Sequence, residues 1–507
     1  MGVRLVLLVL ALVASATATA GPAGAARTGF FFGLHEDAAA TLTRGVPFAR
    51  DLGATAFRIP LQWRPGLTRL EPSQRADLDR LVAAAPRGLR LVANPWSAGP
   101  DAPLDDARRD EFCAFARDVV VNYRRVTDVV VGNEPNKDYA WHPQFNVDGT
   151  SAAPAAFAAL LARCWTVLHA VRPGVNVVAP ALSPTGNDNP GGSNISHSPV
   201  RFLERMGEAY RASGRTRRLF DTFAHNVYGS TPYERPWRDH TSNQISQGDW
   251  RDLLNVLRLS FGGTGQPIPG ECRPVGRCVW LWYTEAGFQT TPDEAKRPLY
   301  VDEENVVTIP DEAGGEPLVP AAQLAAAAPD QATQFVDAVR LAYCQPYVQG
   351  IFNYLLVDNR SLGRWQSGLL WTDWTPKDSY AAAKAVIAEA RSGRVDCAAL
   401  KGGPVPVVDA RAPRAPRWIG VSAGSRRVVL DWRDARDGDV MGYRVLRAAR
   451  PGGRWRLLTP RLLTASRLVD RRVRNGQRYA YVVTAVDTVE HESARSRVRT
   501  VTPRPRR

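Results

Sequence analysis

The sequence predicts an α/β protein: a closed barrel of eight strand-plus-helix units, followed by a small all-β sandwich. Three observations carry that prediction. Short apolar runs alternate with amphipathic stretches through the first 400 residues, the pattern of parallel β/α architecture. A chain of 507 residues is longer than one hydrophobic core usually serves. The composition also turns Pro-, Ala- and Gly-rich over 401–416, and the runs after it are short and β-rich.

The N-terminus comes first. Arg4 precedes an apolar stretch from Leu5 to Ala14 that is short for a membrane span. Small-residue cleavage sites follow at Ala18-Thr19-Ala20 and near Ala25-Ala26, so residues 1–26 read as a signal peptide and the protein as secreted. No later run is expected to cross a bilayer.

Strands are expected at 30–34, 56–61, 90–93, 128–132, 175–180, 222–227, 279–284 and 350–355. Helices are expected between them, at 38–52, 73–85, 107–123, 155–171, 200–213, 249–259, 321–343 and 377–390. Eight such units match a (β/α)8 TIM barrel over 27–400, with long connections at 229–248 and 288–320 on the catalytic face. These connections carry Tyr233, Trp237 and Tyr300. A doubly wound sheet is the competing topology. It would show a Gly-rich phosphate loop after its first strand, which Gly29-Phe30-Phe31-Phe32-Gly33 does not supply. Residues 401–414 read as a linker, and 415–503 as the β-sandwich.

Six cysteines in an exported chain point to disulfides, with fifteen full pairings open. Cys272 with Cys278 is the first choice, followed by Cys113 with Cys164 and Cys344 with Cys397. A zinc site at Cys272 and Cys278 would need a second ligand pair nearby, and none stands at that spacing. The formal charge of +15 is carried almost wholly by Arg spread among acidic residues. It reads as compositional background rather than a nucleic-acid surface, with adhesion to a cell wall or other acidic surface as a minor role.

The chemistry lies in two glutamates. Hydrolysis of a glycosidic bond needs one carboxyl to protonate the leaving oxygen and a second to attack or to activate water. Glu134 follows the apolar run Val129-Val130-Val131, which Gly132 and Pro135 end. Glu285 closes Val279-Trp280-Leu281-Trp282-Tyr283-Thr284. Alternation puts it on the face of Leu281 and Tyr283, expected to be the barrel interior.

Asn133-Glu134-Pro135 and Thr284-Glu285-Ala286-Gly287 resemble the motifs ending strands four and seven in glycoside hydrolase clan A. Phe57-Arg58-Ile59-Pro60, His225-Asn226-Val227-Tyr228 and the segment from Ser367 to Lys377 are similar to other parts of families five and thirty-nine. The resemblance spans residues 29 to about 390. It implies a retaining glycosidase with Glu134 as acid/base and Glu285 as nucleophile. Asn133 would bind the sugar 2-hydroxyl; Arg58, His225 and Tyr228 would line the floor, with Arg58 and Tyr228 holding Glu285 ionised. Trp141 and Trp365 are the preferred sugar platforms. Clan members often carry Trp at the end of strand eight; here the run is Phe352-Asn353-Tyr354, so Asn353, Tyr354 or Trp365 would substitute. Many family-five enzymes have a His after strand three, where this chain reads Ala93-Asn94-Pro95-Trp96. Residues 415–503 resemble a fibronectin type III module, with Trp432 and Tyr481 as core residues.

Read alone, Asn-Glu-Pro also suits a capped helix start, an inward Arg58 can simply fill a barrel mouth, and His225 can be a core histidine. No nucleophile elbow, His-Glu-x-x-His motif or phosphate loop is present, so no cofactor and no metal are expected. The alternative function is a non-catalytic carbohydrate-binding or cell-surface protein. Loss of one glutamate would mark it, and both are present.

Overall fold

The structure is a computed structural model describing residues 29–505, apart from 193, 232–233, 241, 304–305, 309–317, 321–329 and 451. The expected signal segment, Tyr233 and the first part of the helix expected at 321–343 lie outside the described residues.

Eight parallel strands close into a barrel: β1 (Phe31–His35), β2 (Ala56–Gln62), β3 (Arg90–Trp96), β4 (Val126–Val130), β5 (Asn176–Leu182), β6 (Thr222–Asn226), β7 (Trp280–Ala286) and β8 (Val348–Tyr354). Closure is made where Phe31 to His35 pair in register with Gly350 to Tyr354. Around it lie α1 (Ala39–Leu52), α2 (Pro72–Ala84), α3 (Asp106–Asn122), α4 (Ala153–Val171), α5 (Pro199–Ala212), α6 (Trp250–Phe261), α7 (Gln331–Cys344) and α8 (Ser379–Arg391). Local chemistry sets several helix starts. Asp105, Ser198 and Asp330 accept the backbone N–H three residues on, and Pro199 sits in the first turn of α5, where a missing N–H costs nothing.

The strands are apolar on both faces because both are covered. Inside, Phe31, Trp282 and Phe352 interlock edge-to-face with ring centroids 5.0 and 5.5 Å from Phe31, and the small Ala56 and Ala224 make room for them. Gly350 is required here, since a Cβ would stand 2.2 Å from the Phe31 ring. The alternate residues, such as Phe57, Ile59, Leu281 and Tyr283, face the helices.

α4 corrects one expectation: it is long and apolar enough to span a membrane by composition alone. Here it is an outer helix of the barrel, burying Phe157, Leu160, Leu161 and Leu168 and joined to α3 by Cys113–Cys164. The other disulfides are Cys272–Cys278 in the loop before β7 and Cys344–Cys397 behind α7. All three match the expected pairings.

Past residue 402 no helix or strand occurs until β9 (Trp418–Gly424). Then follow β10 (Arg427–Trp432), β11 (Val440–Ala448), β12 (Arg456–Leu457), β13 (Arg467–Asp470), β14 (Tyr479–Asp487) and β15 (Arg499–Val501). They form antiparallel sheets in the orders β9-β10-β13 and β12-β11-β14-β15. Trp432, Tyr443, Val445, Tyr481 and Val483 fill one core between them.

The sandwich is docked on the barrel. Val275, in the loop before β7, packs on the sandwich core. Gly276 N–H donates to Val440 O at 3.2 Å, and the Thr488 hydroxyl donates to Gly270 O at 3.1 Å. That loop feeds the start of β7, so the contact lies at the end of the barrel opposite the glutamates.

Candidate active site

The C-terminal strand ends surround a cleft of about 700 Å³, within the size of small-molecule sites. Glu134 and Glu285 both line it, with Asn133, Tyr228, Tyr354 and Trp365.

Glu134 leaves β4 through a turn that only glycine suits. Gly132 has φ +77, and a Cβ there would stand 2.9 Å from Phe157. Glu134 itself has φ 45, a left-handed conformation costing a non-glycine residue about 1 kcal/mol. Its N–H donates to Ala181 O at 2.9 Å, and its carbonyl accepts from Lys137 N–H at 2.9 Å, which holds it there. Asn94 braces the turn by donating to Val130 O and Gly132 O at 3.0 and 2.9 Å.

Glu285 reaches the mouth through an irregularity. Pairing runs His225 with Tyr283 and then Asn226 with Glu285, so one extra residue, Thr284, is accommodated in β7. Trp282 faces the barrel interior while Leu281 and Tyr283 face the helices. The expected shared face of Leu281, Tyr283 and Glu285 is therefore corrected: the shift turns Glu285 inward where simple alternation would not.

Arg58, fully buried, joins the two halves of the site. Its Nη1 donates to Glu285 Oε1 at 2.6 Å and Thr284 O at 3.0 Å, and its Nη2 to Asn133 Oδ1 at 2.8 Å. With Oδ1 so engaged, the Asn133 side chain has its amide N–H groups left to offer a ligand. The Tyr228 hydroxyl donates to Glu285 Oε2 at 3.0 Å. Burial, then the Glu285 charge, pushes the Tyr228 hydroxyl well above its ordinary range, so it stays a donor.

Glu134 stands in a different setting. Burial first, and the neighbouring Glu285 charge second, raise its pKa to about 7. The amide of Asn226 opposes this by donating to Oε1 at 2.9 Å. The Tyr139 hydroxyl donates to Oε2. Lys137, buried beside it and donating to Thr185 Oγ1 at 3.0 Å, also favours the charged form.

Of the residues expected at the site, the structure gathers Glu134, Glu285, Asn133, Arg58, Tyr228 and Trp365. Three others lie elsewhere. His225 points out of the barrel and bonds Ile245 O at 2.7 Å through Nε2; Asn226, one residue on, holds the interior position. Trp141 is 2% exposed and packs edge-to-face on Phe157 in the helix-side core. Asn353 donates to Leu355 O and Ser367 O at 2.8 and 3.2 Å, shaping the chain after β8 instead of facing the cleft. Trp365, by contrast, stands over Tyr228 with centroids 4.7 Å apart and meets Tyr354 at 6.1 Å.

Sequence reasoning missed Asn226, His35, Glu36 and Tyr139's bond to Glu134. His35 ends β1, with Nδ1 bonded to Arg58 O at 3.1 Å and Nε2 3.7 Å from Glu285 Oε1. Burial and the Arg58 charge hold its pKa well below the usual range, so it is neutral and presents an Nε2 lone pair to the site. Glu36 accepts from Leu356 and Val357 N–H, and burial lifts its pKa to about 8. The available signal was position: Gly33-Leu34-His35-Glu36 runs off the C-terminal end of the first barrel strand.

No family model matches the chain. An amylopullulanase of Thermoanaerobacterium thermosulfurigenes is 33% identical over 85 residues, covering 17% of this chain and 4% of that protein. A family 39 glycoside hydrolase from the gut symbiont Bacteroides cellulosilyticus WH2 superposes over 83% of this chain and 72% of that chain, at 14% identity and a TM-score of 0.46. A monomeric β-xylosidase from Caulobacter crescentus CB15 covers 84% of each chain at 16% identity and a TM-score of 0.43. These likenesses are partial, and the function rests on the site's own geometry.

Proposed function

We propose that this chain is a secreted retaining glycoside hydrolase acting on a β-linked polysaccharide or oligosaccharide, with Glu134 as acid/base and Glu285 as nucleophile. One observation carries the reading. Two glutamates at the ends of β4 and β7 share a cleft in contrasting settings, Glu285 ion-paired with Arg58 and Glu134 buried with a raised pKa.

In the first step a Glu285 oxygen attacks the anomeric carbon while the bond to the leaving oxygen breaks, and that oxygen takes the Glu134 proton. A glycosyl ester on Glu285 results. In the second step Glu134, now a carboxylate, takes a proton from water as the water oxygen displaces Glu285, which restores both groups. Asn133 donates to the sugar 2-hydroxyl, and Trp365 supplies an apolar face. The three disulfides suit an oxidising compartment, residues 1–26 a signal peptide, and the sandwich a fibronectin type III-like module.

The test is a panel of aryl β-glycosides and polysaccharides with the anomeric configuration of the first product followed by NMR. Retention is expected, and Glu285→Gln should abolish turnover without altering the circular dichroism spectrum. Inversion, or activity surviving in Glu285→Gln, would refute the assignment.

A further inference from the structure

Three carboxylates and an imidazole meet where the sandwich docks on the barrel. Asp409 comes from the segment before β9, Asp439 from the turn before β11, Asp487 from the end of β14 and His491 from the turn after it. One ligand atom each from Asp409, Asp487 and His491 lie within 4.8 Å of one another.

The donors of this cluster are incompletely matched. Asp487 is fully buried; its Oδ1 accepts from Val489 and His491 N–H at 3.0 and 2.8 Å. Its Oδ2 is buried with no hydrogen-bond donor, and His491 Nδ1 lies 3.4 Å away, itself buried and unbonded. Asp439 Oδ1 is a third buried oxygen without a partner. Asp409 has only Arg411 N–H, at 2.9 Å on Oδ1. A buried carboxylate oxygen without a donor costs on the order of 1–3 kcal/mol, and like charges add to it. The chain carries a formal charge of +15, yet among the described residues no Lys or Arg forms an ion pair with Asp409, Asp439 or Asp487. Burial and then the neighbouring carboxylates raise Asp439 to about 6, as expected of negative groups gathered without a cation.

We infer that Asp409, Asp487 and His491, with Asp439 beside them, bind a divalent cation that clamps the sandwich and its leading segment against the barrel. Carboxylates at these separations can close on an ion with bonds of roughly 2.0–2.6 Å, and the imidazole favours Zn²⁺ or Mn²⁺ over Ca²⁺. The clamp lies at the barrel end away from the cleft, so it acts on stability rather than on the reaction.

The test uses the full-length protein, stripped with a chelator and titrated calorimetrically with ZnCl2, MnCl2 or CaCl2 alone. One ion per chain should bind, with a rise in Tm on saturation. Asp409→Asn lies outside both cores and should weaken binding by at least about tenfold while leaving the metal-free Tm unchanged or higher. Asp487→Asn should abolish binding; if it fails to fold, Asp409→Asn and His491→Gln decide. The inference is overturned if no cation binds stoichiometrically below roughly 1 mM, or if binding persists unchanged in Asp409→Asn and His491→Gln. Glycoside hydrolysis measured on the same samples reports on the cleft separately and should survive Asp409→Asn.

Discussion

Replacing Asn226 by Ala tests the proposed acid directly. Asn226 is fully buried, and its amide donates to Glu134 Oε1 at 2.9 Å while its carbonyl accepts from Thr284 Oγ1 at 2.8 Å. The bond to Glu134 favours the charged carboxylate. Hydrogen bonds to charged groups contribute about 1.5–3 kcal/mol, and one pKa unit is about 1.4 kcal/mol. Removing the donor should therefore raise the Glu134 pKa from about 7 by roughly one to two units. The sign follows from its role. An acid works while protonated, so activity is present below its pKa and lost as pH rises through it. The basic limb of kcat/KM against pH, measured on an aryl β-glycoside, should sit near 7 in the wild type and move alkaline in the variant. The plateau should also fall, because Asn226 steadies Thr284 beneath Glu285. A basic limb that stays in place, or moves acid, in a variant with unchanged Tm would refute Glu134 as the titrating acid.

Other outcomes follow from the same geometry. Trp365→Ala removes the ring over Tyr228 and should raise KM by roughly tenfold with a smaller loss in kcat; an unchanged KM would exclude it as a sugar platform. Glu36→Gln keeps an acceptor for Leu356 and Val357 N–H but removes a buried ionisable group. The Glu36 pKa is raised from 4.5 to about 8 on folding, so its stabilising contribution is present below the unfolded value and lost as pH rises through the folded one. Wild-type stability should fall across that window by up to about 5 kcal/mol more than the variant's in urea unfolding, and equal pH dependence would sink the argument. Ending the chain at residue 400 strips the cover from Val275 and the bond to Gly276 N–H. The barrel should still fold, with a lower Tm by calorimetry; an unfolded product would mean that the sandwich is integral to it.

Much of this was readable in advance because it depends on local pattern. A parallel strand buried on both faces must be apolar throughout, and it must end where glycine, proline or a polar residue appears. The eight runs were therefore visible, and so were Glu134 after Gly132 and Glu285 after Thr284. The cysteine pairs followed from their places on neighbouring elements. What local pattern lacks is a reference for which face is inward. His225 and Asn226 are adjacent polar residues at one strand end, and alternation says that they differ but not which is inside.

By itself, then, the sequence determined the eightfold alternation, the strand ends that carry the two glutamates, and the all-β tail with Trp432 and Tyr481 as core. Tertiary structure alone decided the orientation of the site. The register shift between β6 and β7 turned Glu285 inward and brought Asn226 onto Glu134 in place of His225. Packing against Phe157 took Trp141 out of the cleft, and the carbonyls after β8 claimed Asn353. Each of these depends on contacts between residues remote in the chain, and a one-residue shift in a strand exchanges its two faces.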